Sequence, residues 1–239
     1  MKIDSIVSPD LSALNRAALD EIQRQIASAV AARGRFAIAL SGGHTPAKLY
    51  ALWADRDCDS TPWTLVHLFW GDERYVPPND PLSNYRMTRE ALISRVPIPA
   101  ANVHPFRTEL PSPADTAADY EAELRRFFGA APPQFDVQLL GIGPEGHTAS
   151  LFPGSPALEE KQRWTAAVRV AAIPPDRLTL TPVVLNLGRN TFFLVAGHDK
   201  REILEKIRNE PSGRPSEFPA ARIQPSGRVI WFLDRAAAG

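Results

Sequence analysis

Apolar residues recur at helical spacing from Leu11 through Leu14, Ala18, Ile22, Ile26 and Val30. That period predicts an amphipathic helix over residues 11–33, ended by Gly34. The pattern then changes. Phe36 to Leu40 is apolar along its whole length and is closed by Ser41-Gly42-Gly43. A short run of that kind predicts a strand buried on both faces. Pro46 suits the first turn of a second helix, which Thr45 would cap and Leu49 and Leu52 would anchor.

The same unit recurs along the chain. Leu65 to Trp70 is an apolar run that opens into Gly71-Asp72-Glu73-Arg74. Ser83 is placed to cap a helix reaching about Ser94, and Asp115 to Phe128 reads as another. Phe135 to Ile142, interrupted by polar Gln138, leads into Gly143-Pro144-Glu145-Gly146-His147. Thr191 to Ala196 leads into Gly197-His198-Asp199-Lys200 and a helix through about Ile207, and Val229 to Leu233 predicts a last strand. Residues 96–114 and 209–227 are rich in proline, glycine or serine and read as long loops. Strands apolar throughout, alternating with helices, predict an α/β fold: one mostly parallel, Rossmann-like sheet with helices on both faces, in a single domain.

Composition narrows the function. The chain has 239 residues, with 27 Lys+Arg against 27 Asp+Glu, so its formal net charge is zero. That balance argues against a coat for nucleic acid or an anionic membrane, which demand a basic excess. No apolar run approaches the roughly 18 residues of a spanning helix. Met1-Lys2-Ile3-Asp4 lacks the basic-then-apolar layout of a signal peptide. Cys58 is the one cysteine, so an intrachain disulfide, a Cys-x-x-Cys pair and a cysteine-rich zinc site are excluded. A cytoplasmic monomer is the simplest expectation.

In an open parallel sheet, ligands bind beyond the carboxyl ends of the strands. Four predicted strands end there in polar, glycine-containing turns, at 41–45, 71–75, 143–148 and 197–200. Ser41-Gly42-Gly43 precedes a helix and suits a phosphate, because glycines let backbone N–H groups approach an anion. A plain tight turn is the alternative. Asp72, Glu73 and Arg74 follow a buried run directly, as working groups or as a structural ion pair. Glu145 and His147 place a carboxylate two residues from an imidazole, the usual general base near neutrality. His147 or Thr148 as a helix cap is the structural alternative. Lys200 and Arg177 are candidate cations for a phosphate, or solvated surface residues.

Other chemistries fail on their residues. The chain has no Walker A lysine, no G-x-G-x-x-G, no H-E-x-x-H helix and no G-x-S-x-G elbow. Asp55-x-Asp57-x-Asp59 starts like a calcium loop, but Ser60 replaces its glycine and Val66 its last glutamate. His67 reads as a core residue within a strand run. His104 lies in the proline-rich loop, and His198 flanks Lys200 without an evident partner. No metal site emerges.

Together these turns resemble the 6-phosphogluconolactonase family, within the larger group that includes the glucosamine-6-phosphate deaminases. The resemblance is carried by Ser41-Gly42-Gly43-His44-Thr45-Pro46, by Gly71-Asp72-Glu73-Arg74-Tyr75-Val76-Pro77 with Ser83-Asn84, and by the long segment from Leu140 to Gly154. Arg177-Leu178-Thr179-Leu180-Thr181 and Gly197-His198-Asp199-Lys200 complete it. It implies hydrolysis of 6-phospho-D-glucono-1,5-lactone to 6-phospho-D-gluconate, in the oxidative pentose phosphate pathway, with no metal or organic cofactor. By motif position, His147 would activate water. Ser41, Gly42, Gly43, Arg177 and Lys200 would hold the phosphate, and Asp72 and Arg74 would line the lactone end. The family usually has Asp where this chain has Glu145, so the carboxylate is kept one methylene longer. A deaminase is the alternative enzyme. Those enzymes carry a glutamate where Phe152 stands, and a phenylalanine cannot transfer protons. A non-catalytic sugar-phosphate sensor is the alternative outside catalysis, but only residues 1–10 precede the first helix, too few for a DNA-binding module.

Overall fold

The computed structural model describes residues 4–210 and 216–239. The signal-peptide reading of the N-terminus therefore rests on residues 1–3 that lie outside the described range, as does part of the loop expected over 209–227. Among the described residues, ten strands run in chain order: β1 (Ser5–Ser8), β2 (Phe36–Leu40), β3 (Val66–Trp70), β4 (Asp72–Arg74), β5 (Val103–His104), β6 (Val137–Leu140), β7 (Thr165–Arg169), β8 (Asp176–Leu180), β9 (Asn190–Val195) and β10 (Arg228–Asp234). Seven form one sheet in the order β1-β10-β9-β6-β2-β3-β5, and every pairing in it is parallel.

Three of the strands read as buried on both faces are buried throughout. Every residue of β2, β6 and β9 is buried. Gln138, the polar interruption in β6, is tolerated because its Nε2 donates to the Leu185 carbonyl (3.0 Å) and to Thr191 Oγ1 (3.1 Å). The helix α1 (Leu11–Arg33) starts where Asp10 accepts the Ala13 N–H at 2.8 Å and stops at Gly34, whose φ of 72° is left-handed. It buries Leu14, Ala18, Ile22 and Ile26, the spacing read from sequence.

The helix α2 (His44–Arg56) begins two residues earlier than Thr45 would have capped it. Its N-cap is Gly43, at φ 103°, with no side-chain cap, and Pro46 lies in the first turn. Ser83 does cap α3 (Asn84–Ala91), through Arg86 N–H, but this helix ends before Ser94. Ser112 caps α4 (Pro113–Phe128). A single turn, α5 (Pro182–Leu185), precedes β9, and α6 (Arg201–Arg208) follows it. The helices α1, α2 and α3 pack in succession on one face. The chain moves along the sheet in the opposite sense through α4 and α6, and right-handed crossovers then put these on the other face.

Three strands were not anticipated as a unit. β4, β8 and β7 form a separate antiparallel sheet, with Arg74 opposite Arg177 and Asp72 opposite Thr179. Of residues 71–75, read as a turn, Asp72–Arg74 thus form a strand after one residue of break at Gly71. The edge strands β1 and β5 carry no such apolar run in the sequence. β1 leaves Ile6 and Val7 exposed, and β5 spans only two residues.

The strand order fixes the site. From β2 the chain steps outward to β3 and β5, then returns to the other side of β2 to lay down β6. The switch point therefore lies between β2 and β6, where a crevice opens beyond the strand ends. The turns after β9, β6, β2 and β3 follow four adjacent strands, so all four predicted polar turns do share one edge.

Candidate active site

The first and second turns are locked together by Asn84, at the start of α3. Its side chain is buried, and Nδ2 donates to the Asp72 carbonyl at 2.9 Å and approaches Asp72 Oδ1 at 3.4 Å. Ser150 Oγ donates to the other carboxylate oxygen at 2.7 Å. Asp72 is thus held from two sides. Ser150 reaches it because the chain folds back after Thr148, whose Oγ1 donates to the Gly141 carbonyl at 2.8 Å. Ala149 adopts φ 48° there, a left-handed conformation disfavoured for alanine and held by its neighbours. No helix follows His147. Thr148 and Leu151 form an isolated antiparallel bridge, so neither His147 nor Thr148 is a helix cap.

Glu73 points the other way, into α3. Its oxygens accept the N–H groups of Arg74, Asn84 and Tyr85, each at 2.7 Å, and the Ser83 hydroxyl at 3.2 Å. A carboxylate at a helix N-terminus satisfies otherwise orphaned donors. Burial nevertheless outweighs these bonds and pushes the Glu73 carboxyl up to about 7.

His147 sits across the switch point. Phe152 stacks on the imidazole, with ring centroids 4.1 Å apart and planes 18° apart. His147 Nδ1 is buried and lies 3.0 Å from Glu145 Oε2, a close charge contact off the line of a full hydrogen bond. The longer glutamate therefore still reaches the ring. Burial alone would raise the Glu145 carboxyl, but its own backbone N–H, His147 and Lys200 together hold it below the ordinary carboxylate range. Gly143 makes room for the pair: a Cβ there would fall 2.0 Å from His147 Nδ1.

The cations divide into two places. Arg177 and Arg74 are opposed across β8 and β4, and the buried Arg177 Nε has no hydrogen-bond partner among the described residues. Burial first, and then the Arg74 charge, lowers the pKa of Arg177, while Asp72 and Glu73 oppose that shift. Two like charges held side by side favour an anion between them. Lys200 stands apart, after β9. Its Nζ is 3.0 Å from Asp199 Oδ2, and its charge acts on Glu145. A groove of about 740 Å³ opens from Glu145 and Phe152 along β7.

A family model described as glucosamine-6-phosphate isomerases/6-phosphogluconolactonase matches residues 9–231. The chain belongs to that family. A 6-phosphogluconolactonase of Nostoc sp. is 43% identical over 240 residues, covering 99% of this chain and 98% of the relative. The human 6-phosphogluconolactonase is 39% identical over 221 residues, covering 90% of this chain and 84% of its own. A solved 6-phosphogluconolactonase structure from Trypanosoma cruzi superposes with a TM-score of 0.87 at 30% identity, covering 99% and 96% of the two chains.

Within this family fold, the structure groups the residues singled out from sequence more finely than the sequence did. Gly42 is joined to Asp72 through Asn84, and Arg74 and Arg177 are opposed across the β4–β8 pair that Asp72 begins. Tyr50 fixes that first turn, since its hydroxyl donates to the Ser41 carbonyl (2.8 Å) and accepts the Ser41 N–H (3.0 Å). That N–H is therefore already engaged. Glu145, His147 and Lys200 stand together on the β6–β9 side. Asn84, Ser150 and Tyr50 carry no such signal in the sequence, and Glu73, a candidate working group there, takes the structural role of capping α3. One available signal was Gly42. Its φ is not left-handed, so glycine there answers a need for space, and the space is filled by Asn84.

Proposed function

We propose that the chain hydrolyses 6-phospho-D-glucono-1,5-lactone to 6-phospho-D-gluconate, the oxidative pentose phosphate step, through a water activated by His147. The observation that carries this reading is the His147 environment: a carboxylate at Nδ1, a phenyl ring on one face, and Nε2 left as the base. An ionised Glu145 beside Nδ1 favours the tautomer with its proton there. Nε2 then takes a proton from water as the water oxygen bonds to the lactone carbonyl carbon. The resulting oxyanion collapses, the bond from that carbon to the ring oxygen breaks, and the imidazolium returns its proton to the ring oxygen. A lactone is an activated ester, so one base, a positioned water and donors for the oxyanion suffice.

Ser41, Gly42, Gly43, Arg177 and Lys200 are the proposed phosphate contacts, with Asp72 and Arg74 toward the lactone. The unpartnered Arg177 Nε and the opposed Arg74 support an anionic substrate. Lys200 follows β9 of the seven-stranded sheet and Arg177 lies in β8 of the antiparallel one, so the two cations would engage the ligand from different sheets. The substrate named for the Nostoc and human relatives agrees with this reading. The deaminase reading needs a second proton-transfer carboxylate, and the position in question is Phe152, packed flat on the imidazole. The test is turnover on freshly generated 6-phosphogluconolactone, corrected for spontaneous hydrolysis, beside ammonia release from glucosamine 6-phosphate. Lactone turnover without ammonia is expected. Ammonia release without lactone turnover would refute the proposal.

A further inference from the structure

We infer that Asn84 is a positioning residue for this reaction, a buried clamp that sets Asp72 and the Ser41-Gly42 turn in register. The inference rests on the lactonase reading above. Asn84 lies between the turns after β2 and β3, which also meet where the Gly71 N–H donates to the Leu40 carbonyl at 2.8 Å. On one side, a Cβ at Gly42 would fall 2.0 Å from Asn84 Oδ1 and 2.4 Å from Cγ, so the amide occupies the space that a side chain at Gly42 would need. On the other, Nδ2 holds the Asp72 carbonyl at 2.9 Å. The clamp is itself anchored. Glu73 Oε1 accepts the Asn84 N–H at 2.7 Å, and Thr88 Oγ1 donates to the Asn84 carbonyl at 2.9 Å.

The side chain is 1% exposed, and its Oδ1 has no hydrogen-bond partner among the described residues. An amide merely filling space leaves a buried acceptor orphaned at a cost. A small apolar residue would avoid that cost but would lose the donor to Asp72. The donor to Asp72 is therefore the function the amide serves. Asn84 touches no exposed surface of the crevice, so it acts through Asp72 and Gly42 and not on the substrate.

A double-mutant cycle tests this. Asn84→Ala and Asp72→Asn are measured singly and together as kcat/KM on the phosphorylated lactone, with thermal midpoints alongside. Asn84→Ala is expected to lose up to about 100-fold, the scale of a catalytic group displaced by an ångström. The double variant is expected to lose far less beyond Asp72→Asn than Asn84→Ala loses alone, because only the Ser41-Gly42 turn is then left for Asn84 to hold. Gly42→Ala supplies the reciprocal readout. It should lose activity beside Asn84 and regain part of it when combined with Asn84→Ala, which vacates the colliding amide. Wild-type kcat/KM in Asn84→Ala, or losses that multiply in the double variant, would overturn the inference. Asn84→Asp covers a failure of Asn84→Ala to fold: it keeps the shape, replaces the donor with a carboxylate, and should also lose activity. Lack of lactone turnover by the wild-type chain would instead defeat the functional reading itself.

Discussion

Phe152 lies flat against the imidazole of His147, 4.1 Å between ring centroids. The stack covers one face of the ring and sets its plane, and with it the in-plane direction in which its nitrogens exchange protons. With Glu145 at the Nδ1 edge, chemistry is directed to Nε2. Gly143 is part of the same arrangement, since only a residue without a side chain fits beneath the ring.

Gly143→Ala should therefore damage catalysis more than folding. The φ of Gly143 is not left-handed, so alanine suits the backbone there. The added methyl would fall 2.0 Å from His147 Nδ1 and 2.8 Å from Glu145 Oε2, both on side chains that can swing away. The imidazole is displaced and kcat falls by up to about 100-fold. Steady-state kinetics beside a thermal melt checks it, and an unchanged kcat would show that the ring position is not critical.

Lys200→Ala should raise KM on the phosphorylated lactone much more than it lowers kcat, as expected for binding shared by ground and transition states. A charge-assisted hydrogen bond contributes roughly 1.5–3 kcal/mol, which is about 10- to 150-fold in kcat/KM. Non-phosphorylated gluconolactone should be a poor substrate for both proteins, with kcat/KM barely altered by the change. Equal losses on the two substrates would place Lys200 at the carbonyl end, through Glu145, and not on the phosphate.

Acid should destabilise the fold through a histidine pair far from the crevice. His67 Nδ1 lies 3.2 Å from His104 Nε2, and His104 Nδ1 lies 2.6 Å from Glu123 Oε1. Burial, then the charges of His104 and Arg35, pushes His67 down to about 4. Burial also lowers His104, with Arg126 adding to that and Glu123 opposing it. The unfolded chain takes up these protons near 6.5 and the folded one only at lower pH. Their stability contribution is thus complete above about 6.5 and is lost as pH falls toward 4. The raised Glu73 carboxyl has the opposite sign, losing stability as pH rises from 4.5 through about 7. Comparison with His67→Gln cancels the Glu73 share. The thermal midpoint of wild type should fall more steeply than that of His67→Gln between pH 6.5 and 4. Parallel curves would contradict the assignment.

The parts of the fold legible in sequence were those with a local cause. β2 and β9 announce themselves because both faces are buried and the runs Phe36–Leu40 and Phe192–Val195 are apolar throughout. α1 does so through its period and its terminal glycine. β4 could not be read that way. It consists of Asp72, Glu73 and Arg74, and it is a strand only because Thr179, Leu178 and Arg177, a hundred residues later, pair with it. The site shows the same division. The four turns stood out as polar breaks after buried runs, and the strand order then brought them to one edge. The contacts of Asn84 and Ser150 with Asp72 join segments 12 and 78 residues apart, and no spacing rule encodes them. Phe152 was visible as a residue unable to transfer protons, but its role as the platform for His147 needed coordinates.

The most direct measurement is kcat for His147→Asn on 6-phosphogluconolactone, with spontaneous hydrolysis subtracted and folding verified by thermal melt. Asparagine keeps much of the shape and some hydrogen bonding but removes the base at Nε2. Loss of a general base typically costs about 10²–10⁴ in rate. The fall should appear in kcat, with KM little changed, because water is activated in the transition state. A folded His147→Asn protein turning over the lactone at a near-wild-type kcat would contradict the assignment of His147 as the base.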